Sequence, residues 1–303
     1  MIIAAIDIGS NAARLQITKL INYEGAVTFK KLEYIRFPLR LGKDVFSVGK
    51  ITATKKLEFF KLLRVFNGLI ELYEIDHIYA CATSAMREAR NGQDIIQEIK
   101  NNIGLDVNIL SGQEEAEMID RVIALYLNDK VYLHIDVGGG STELNLYVKN
   151  KKVRSKSFDI GTVRAKDLAE YMSNWKKCID WIELYVRKPF RNVITIGTGG
   201  NINKLHELSG DSKKTPLSID TLEKTRDMLA AMSLEDKLCK LLLNPDRADV
   251  IVPAADIYLQ IMQTARSKTI AVPMVGLKDG INFMLYEMYF PNKGVVTVKN
   301  QNY

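Results

Sequence analysis

Two short segments carry the residue types that handle phosphate. Asp7-Ile8-Gly9-Ser10-Asn11 closes the first apolar run, and Asp136-Val137-Gly138-Gly139-Gly140-Ser141-Thr142-Glu143 closes a second one. Each has a β-branched run, an Asp at its end, a Gly-containing turn and a second strand-like run. Glycines let backbone amides approach an anion closely. A carboxylate at the strand end suits a divalent cation, or its waters, beside that anion. Two such loops facing each other would grip a phosphate chain from both sides.

Four further segments have chemical potential. Thr83-Ser84-Ala85-Met86-Arg87 follows a strand pattern, and Arg87 could grip phosphate oxygens with its planar fork or lie on the surface. Ser111-Gly112-Gln113-Glu114-Glu115 sets two acids at a helix start, where the helix dipole alone would favour them. The functional alternative makes one of them a base for water. Gly197-Thr198-Gly199-Gly200 is a strand-to-helix turn suited to a phosphate or nucleotide contact. Arg247-Ala248-Asp249 opens a helix and reads equally as a ligand contact or a salt-bridged cap.

The elements that must position these groups repeat. After the first loop come a strand over residues 14–19, a turn at 22–25 and a strand over 27–34. After the second come a strand over 144–148, a turn at 149–152 and a strand over 153–158. Strand and helix patterns then alternate in both halves, which points to an ancestral duplication. The spacing predicts helices over 51–73, 85–90, 94–101, 168–186, 218–242 (broken near Ser233), 247–264 (with Pro253 as a kink) and 280–288. Strands are expected over 77–82, 107–110, 193–196 and 269–272. Ser111 with Glu114 three residues on fits a capping box. The 303 residues suit two domains, expected over 1–125 and 126–303, with the C-terminal tail free to return to the first.

Composition narrows the class. Hydrophobic content of 47% and charged content of 26% are ordinary for a globular chain. The net charge of +6 favours anionic partners. Basic clusters such as Lys30-Lys31, Lys149 to Arg154 and Lys213-Lys214 read as solvated faces, with no nucleic-acid motif. Neither a signal peptide nor a membrane span is expected. The scattered Cys81, Cys178 and Cys239 form no disulfide framework or zinc pattern, so reduced cytosol is the simplest home. His77, His134 and His206 share no ligand spacing and read as structural.

Taken together the chain resembles the exopolyphosphatase/guanosine pentaphosphate phosphatase family. The residues that carry this are Asp7 to Asn11, Ala82 to Arg87, Ser111 to Glu115, Asp136 to Glu143, Gly197 to Gly200 and Arg247-Ala248-Asp249-Val250-Ile251, in family order. The resemblance implies an α/β fold of two ribonuclease-H-like (actin/hexokinase/Hsp70-like) domains around a central cleft. It implies hydrolysis dependent on Mg²⁺ (or Mn²⁺) that releases terminal phosphate from polyphosphate or guanosine pentaphosphate. By motif, Glu114 is then the base, and Asp7, Asp136 and Glu143 serve the metal. Ser10, Asn11, Arg14, Arg87, Gly138, Gly139, Gly140, Ser141, Gly199, Gly200 and Arg247 contact phosphate. A homodimer is a family-level expectation, and the expected location is cytoplasmic.

There are departures. Ala12 stands where a hydroxyl is common, and Lys278 where an Arg is usual. The long enzymes of this kind carry further C-terminal helical domains resembling HD phosphohydrolases, so a short form is expected here. The rival readings are an ATP-dependent kinase of the wider superfamily and a non-catalytic phosphate or alarmone sensor.

Overall fold

The computed structural model describes residues 1–164, 168–212 and 215–290, so Lys213, Lys214 and the tail from Pro291 lie outside the described residues. The chain forms two α/β units, one of Met1–Val122 with the C-terminal stretch from Leu277, the other of Ile123–Gly276. The helix Leu277–Tyr289 therefore belongs to the first unit, whereas a boundary at 125/126 would leave it in the second.

The first unit holds a five-stranded sheet. Its strands are β1 (Ile2–Ile8), β2 (Ala13–Tyr23), β3 (Ala26–Phe37), β4 (His77–Ala82) and β5 (Val107–Ile109), in the order β3-β2-β1-β4-β5. The first three are antiparallel neighbours, while β4 and β5 run parallel to β1. The second unit builds the same plan from β6 (Val131–Val137), β7 (Thr142–Val148), β8 (Lys151–Phe158), β9 (Ile194–Thr198), β10 (Leu217–Ser218) and β11 (Thr269–Ala271). Its order, β10-β11-β9-β6-β7-β8, matches the first sheet strand for strand, with β10 added at the edge. The expected duplication is thus present in the topology, and both units have the ribonuclease-H-like arrangement.

Alternation along β1 explains how it is covered. Ala4, Ile6 and Ile8 pack with Phe59, Leu63 and Phe66 of the helix Ala53–Leu72. Ile3 and Ala5 on the opposite face pack with Ile281, Leu285 and Tyr286 of the C-terminal helix. A strand buried on both faces reads as an unbroken apolar run, and so needs a helix on each side. Gly280, in the first turn of the C-terminal helix, lets it also lie against the helix Gly112–Ile123, because a Cβ there would lie 2.2 Å from the Met118 carbonyl oxygen. In the second unit Leu133, Ile135 and Val137 of β6 pack with Tyr258, Ile261 and Met262 of the helix Ile251–Ala265.

Several boundaries differ from the spacing. The short helix Leu41–Val48 follows the left-handed Arg40 and has no separate signal in the periodicity. β9 runs on through Gly197 to Thr198, because Ile135 and Asp136 of β6 pair with those two residues. The helix expected over 247–264 is two, Pro245–Ala248 and Ile251–Ala265. Pro253 then falls in the first turn, where its missing N–H has no intrahelical partner to lose, so it makes no kink. No helix among the described residues is long and apolar enough to cross a membrane.

Candidate active site

The expected loops lie at the C-terminal ends of parallel strands, the edge where open α/β sheets bind ligands, with Asp7 and Asp136 in the strand ends and Arg14 and Glu143 opposite them on the antiparallel β2 and β7. In the first unit the strands that carry the loops are β1, β4 and β5, and in the second β6 and β9.

The two Asp loops share a hydrogen-bond pattern. The first hairpin is closed by Gly9 N–H donating to Ala12 O at 3.0 Å, the second by Gly138 N–H donating to Ser141 O at 2.9 Å. The strand that follows each hairpin ends in the same turn, with Leu39 N–H on Phe37 O at 2.9 Å and Ile160 N–H on Phe158 O at 2.7 Å. The chain then passes beneath its loop and braces it. Gly42 N–H donates to Ser10 O at 2.8 Å, and Val163 N–H to Gly139 O at 2.8 Å.

The second loop is braced at three consecutive carbonyls. Gly138, Gly139 and Gly140 O accept from Thr162 N–H (3.2 Å), Val163 N–H (2.8 Å) and Arg164 Nε–H (2.7 Å). In a trans peptide the carbonyl and the following N–H point opposite ways. Turning these carbonyls onto residues 162–164 therefore turns the amides of Gly139, Gly140 and Ser141 away from them, as an anion cradle requires. Gly161 makes the contact possible, since a Cβ there would sit 2.3 Å from Gly139 O. Residues 161–164 carry no role in the sequence reading above. Their only signal is a Gly-Thr pair just beyond the third strand of the repeat.

The charges on the two loops differ. Asp7 lies opposite Arg14 in register, and Arg14 Nη1 donates to Asp7 Oδ2 at 2.7 Å. At the equivalent positions Asp136 lies opposite Glu143. Glu143 Oε1 accepts from the Ser141 and Ser157 hydroxyls at 2.7 and 2.8 Å, so the Ser141 side chain orients a carboxylate here. Asp136 also abuts the third Gly-rich turn. A Cβ on Gly199, whose φ is +105°, would lie 3.0 Å from Asp136 Oδ1. Gly138 to Ser141, Gly199, Asp136 and Glu143 are thus one constellation, with Gly200 opening the helix Gly200–Leu208 beside it. Two acids opposed across a ladder repel each other, and Mg²⁺ takes one or two carboxylates together with phosphate and water oxygens. The pair fits such an ion, although no cluster of three or more His, Cys, Asp or Glu suited to a metal occurs among the described residues.

In the first unit, Ser10 ties its loop to the next strand end. Its hydroxyl lies 2.8 Å from that of Ser84 and accepts from Ala85 N–H at 3.2 Å, at the start of the short helix Ser84–Glu88. Thr83 makes no side-chain cap there. Asn11 O accepts from Arg40 N–H at 2.9 Å. Arg87 projects from the same short helix and donates through Nη1 to Leu110 O and, at 3.0 Å, to Glu115 Oε1. The neighbouring acid is turned elsewhere. Glu114 Oε2 accepts from Ser111 N–H and Oγ–H at 2.7 and 2.8 Å, and Glu114 N–H donates to Ser111 Oγ at 3.2 Å. This is the expected capping box. The Ser111 N–H, followed by its hydroxyl, holds the exposed Glu114 carboxyl below its ordinary pKa.

Glu115 is the half-buried member of the pair, its side chain 13% exposed. Its charge and that of Asp7 both help to push up the pKa of the buried Cys81, whose largest cause is burial. Arg87, Glu115 and Asp7 therefore gather at the ends of β1, β4 and β5. Arg247 sits in the helix Pro245–Ala248, packed with its neighbours Leu234–Cys239 and Ile251–Ala265. Lys278 pairs with Asp279 at 2.6 Å and lies 5.6 Å from the Tyr34 ring centroid.

Comparison with known proteins adds four findings. The model of the Ppx/GppA phosphatase family matches residues 20–288. A bifunctional 3-dehydroquinate synthase/phosphatase from Fusobacterium nucleatum is 29% identical over 285 residues, covering 86% of this chain; the chain spans 43% of that relative's length. Among solved structures, an exopolyphosphatase from Cytophaga hutchinsonii superposes with TM-score 0.79 at 24% identity, covering 98% of this chain and 100% of that one. The Ppx/GppA family member from Aquifex aeolicus superposes with TM-score 0.73 at 22% identity, covering 97% and 99%. These structures share the two-domain, actin-like fold.

Proposed function

We infer that this chain, which belongs to the Ppx/GppA phosphatase family, hydrolyses phosphoanhydride bonds and releases terminal phosphate from inorganic polyphosphate or guanosine pentaphosphate. The observation that carries this reading is the second loop, whose three braced carbonyls turn consecutive amides outward beside the Asp136–Glu143 pair. Amides in that arrangement bind phosphate oxygens by geometry, without side-chain charge.

Asp136 and Glu143 would hold Mg²⁺ or Mn²⁺, which when bound neutralises phosphate charge. The amides of Gly139, Gly140 and Ser141 orient the chain, and Arg87 adds a fixed positive fork. One carboxylate must accept a proton from water as the water oxygen bonds to the terminal phosphorus and the bridging P–O bond breaks. The products are inorganic phosphate and a chain one phosphate shorter. The family motif read from sequence points to Glu114 for this base. The geometry favours Glu115, because Glu114 is committed to the Ser111 cap while Glu115 faces Arg87. No Ser, Cys or His nucleophile enters the scheme.

The test is phosphate release from long-chain polyphosphate and from guanosine pentaphosphate, each with and without Mg²⁺, beside ATP with a panel of acceptors. Release from either anhydride that depends on the metal is the expected result. ATP-dependent phosphorylation of an acceptor with no such release would make the chain a kinase. Binding without turnover of any of them would make it a sensor.

A further inference from the structure

A buried side chain outside all the motifs joins the two glycine turns of the second unit. Tyr258 lies in the middle of the helix Ile251–Ala265 and is fully buried. Its hydroxyl donates to Thr198 O at 2.7 Å and accepts from Val137 N–H at 3.3 Å. Val137 immediately precedes Gly138, and Thr198 immediately precedes Gly199. The β6–β9 ladder ends one step earlier, at the pair Asp136–Thr198. The hydroxyl thus bridges the two strands at the point where each becomes a glycine turn. The braces from residues 162–164 aim the amides of the first turn, while what holds the two stems sets how far apart the glycine turns stand.

Thr198 is held a second time through its side chain. Its Oγ1 lies 2.8 Å from His134 Nε2, and Asn145 Nδ2–H donates to His134 Nδ1 at 3.1 Å. Asn145 in turn accepts from the Ser155 hydroxyl at 2.6 Å. An amide donor on Nδ1 leaves the ring proton on Nε2, so a neutral His134 donates to Thr198. Backbone and side chain of Thr198 are therefore anchored by two different elements.

We propose that Tyr258 is a positioning residue for phosphate binding: its hydroxyl clasps Val137 to Thr198 and keeps the turns at 138–141 and 199–200 at one fixed spacing, with His134 anchoring the same Thr198 from the sheet. The proposal rests on the phosphate-binding reading of those turns and deepens it, because it names the side chain that sets their geometry. Phosphate contacts from both turns must be met at once, so a change in spacing weakens binding while leaving the attacking groups in place.

Tyr258→Phe keeps the ring and removes only the clasp. In this variant KM for polyphosphate should rise about 3- to 10-fold, the factor carried by one net hydrogen bond, with kcat within about twofold. Calorimetric affinity for inorganic tripolyphosphate in chelator should fall by a similar factor. The backbone amide resonances of Gly138 to Ser141 and Gly199-Gly200 should shift, while those of Gly9 to Asn11 stay in place. Thr198→Val, which removes the His134 contact but keeps the carbonyl that Tyr258 holds, should shift the 199–200 amides alone. Unmoved amides at both turns in Tyr258→Phe would overturn the proposal. So would a lowered melting temperature with KM and tripolyphosphate affinity unchanged, which would make the hydroxyl purely structural. If the unaltered protein binds no tripolyphosphate, the functional reading fails, and the amide shifts alone decide the role of Tyr258.

Discussion

The two Asp loops are one backbone carrying two different sets of charges. Their closing bonds, the turns after their third strands and the bonds that brace Ser10 O and Gly139 O coincide position for position. The side chains differ: Ser10 and Asn11 stand where the second loop has Gly139 and Gly140, and the residue opposite the Asp reverses its charge. Arg14 satisfies Asp7 within the first loop, whereas Glu143 opposes Asp136 with a second negative charge. The scaffold therefore fixes where a carboxylate stands, and its cross-strand neighbour decides whether a positive or a second negative charge stands opposite it.

The sheets behind the loops differ in the same way. Ala5 and Cys81 in the first unit lie in an apolar cluster with the C-terminal helix. Their counterparts His134 and Thr198 belong to the polar row that runs through Asn145 to Ser155. The first unit buries apolar surface here against a helix, beside the buried Gln16–Thr18–Asn282 hydrogen bonds; in the second the hydrogen-bonded row reaches the strand end and holds a glycine turn.

The comparison can be broken most sharply at the acids. If the first unit supplies the base through Glu115, Glu115→Gln should lower turnover by about 10²–10⁴-fold, the usual range for loss of a general base. Glu114→Gln, which removes only a capping interaction, should stay within a few-fold. The opposite result would return the base to Glu114 and sink the geometric assignment.

A smaller effect is expected where the loops differ in charge. Glu143→Gln should raise the Mg²⁺ concentration needed for half-maximal activity by about 10–100-fold. Asp7→Asn, in the loop that carries its own cation, should shift it much less. Equal shifts would mean that both loops use their acids alike.

Arg87 should matter mainly for binding. Arg87→Ala is expected to raise KM by about tenfold, the loss of one charge-assisted contact. Arg87→Lys should raise it less, because it keeps the charge but loses the fork. Steady-state kinetics that do not distinguish the three proteins would place Arg87 outside the site.

The last effect is one of stability against pH. Burial, followed by the charge of Lys152, holds the His134 pKa down to about 3, against an ordinary 6.5. Between those values the unfolded chain binds a proton that the folded one does not. Stability of the second unit should therefore rise with pH across that window and fall as pH drops through it, by about 1.4 kcal/mol per pH unit. His134→Gln should flatten the slope. Denaturant unfolding from pH 4 to 7 would measure it, and an unchanged slope would show that the unfolding acid dependence lies elsewhere.

What could be seen in the sequence by itself is local. The duplicated Asp-Gly loops are visible because a strand followed by a glycine turn leaves its mark within ten residues. The Ser111–Glu114 capping box and the helix Ala53–Leu72 are visible because their partners lie three or four residues apart. The phosphate-handling class and the two-unit plan followed from repeats of such local marks. The tertiary structure decided what depends on distant partners. Adjacent ends of β4 and β5 bring Arg87 to Glu115 and so distinguish it from Glu114. Passage of residues 160–164 beneath the second loop turns its amides outward. The strands β6 and β9 end together under the Tyr258 hydroxyl, and the C-terminal helix covers the bare face of β1. The reason is physical: helix phase and turn chemistry act over a few residues, whereas parallel crossovers and loop braces join segments whose spacing along the chain says nothing about their spacing in space.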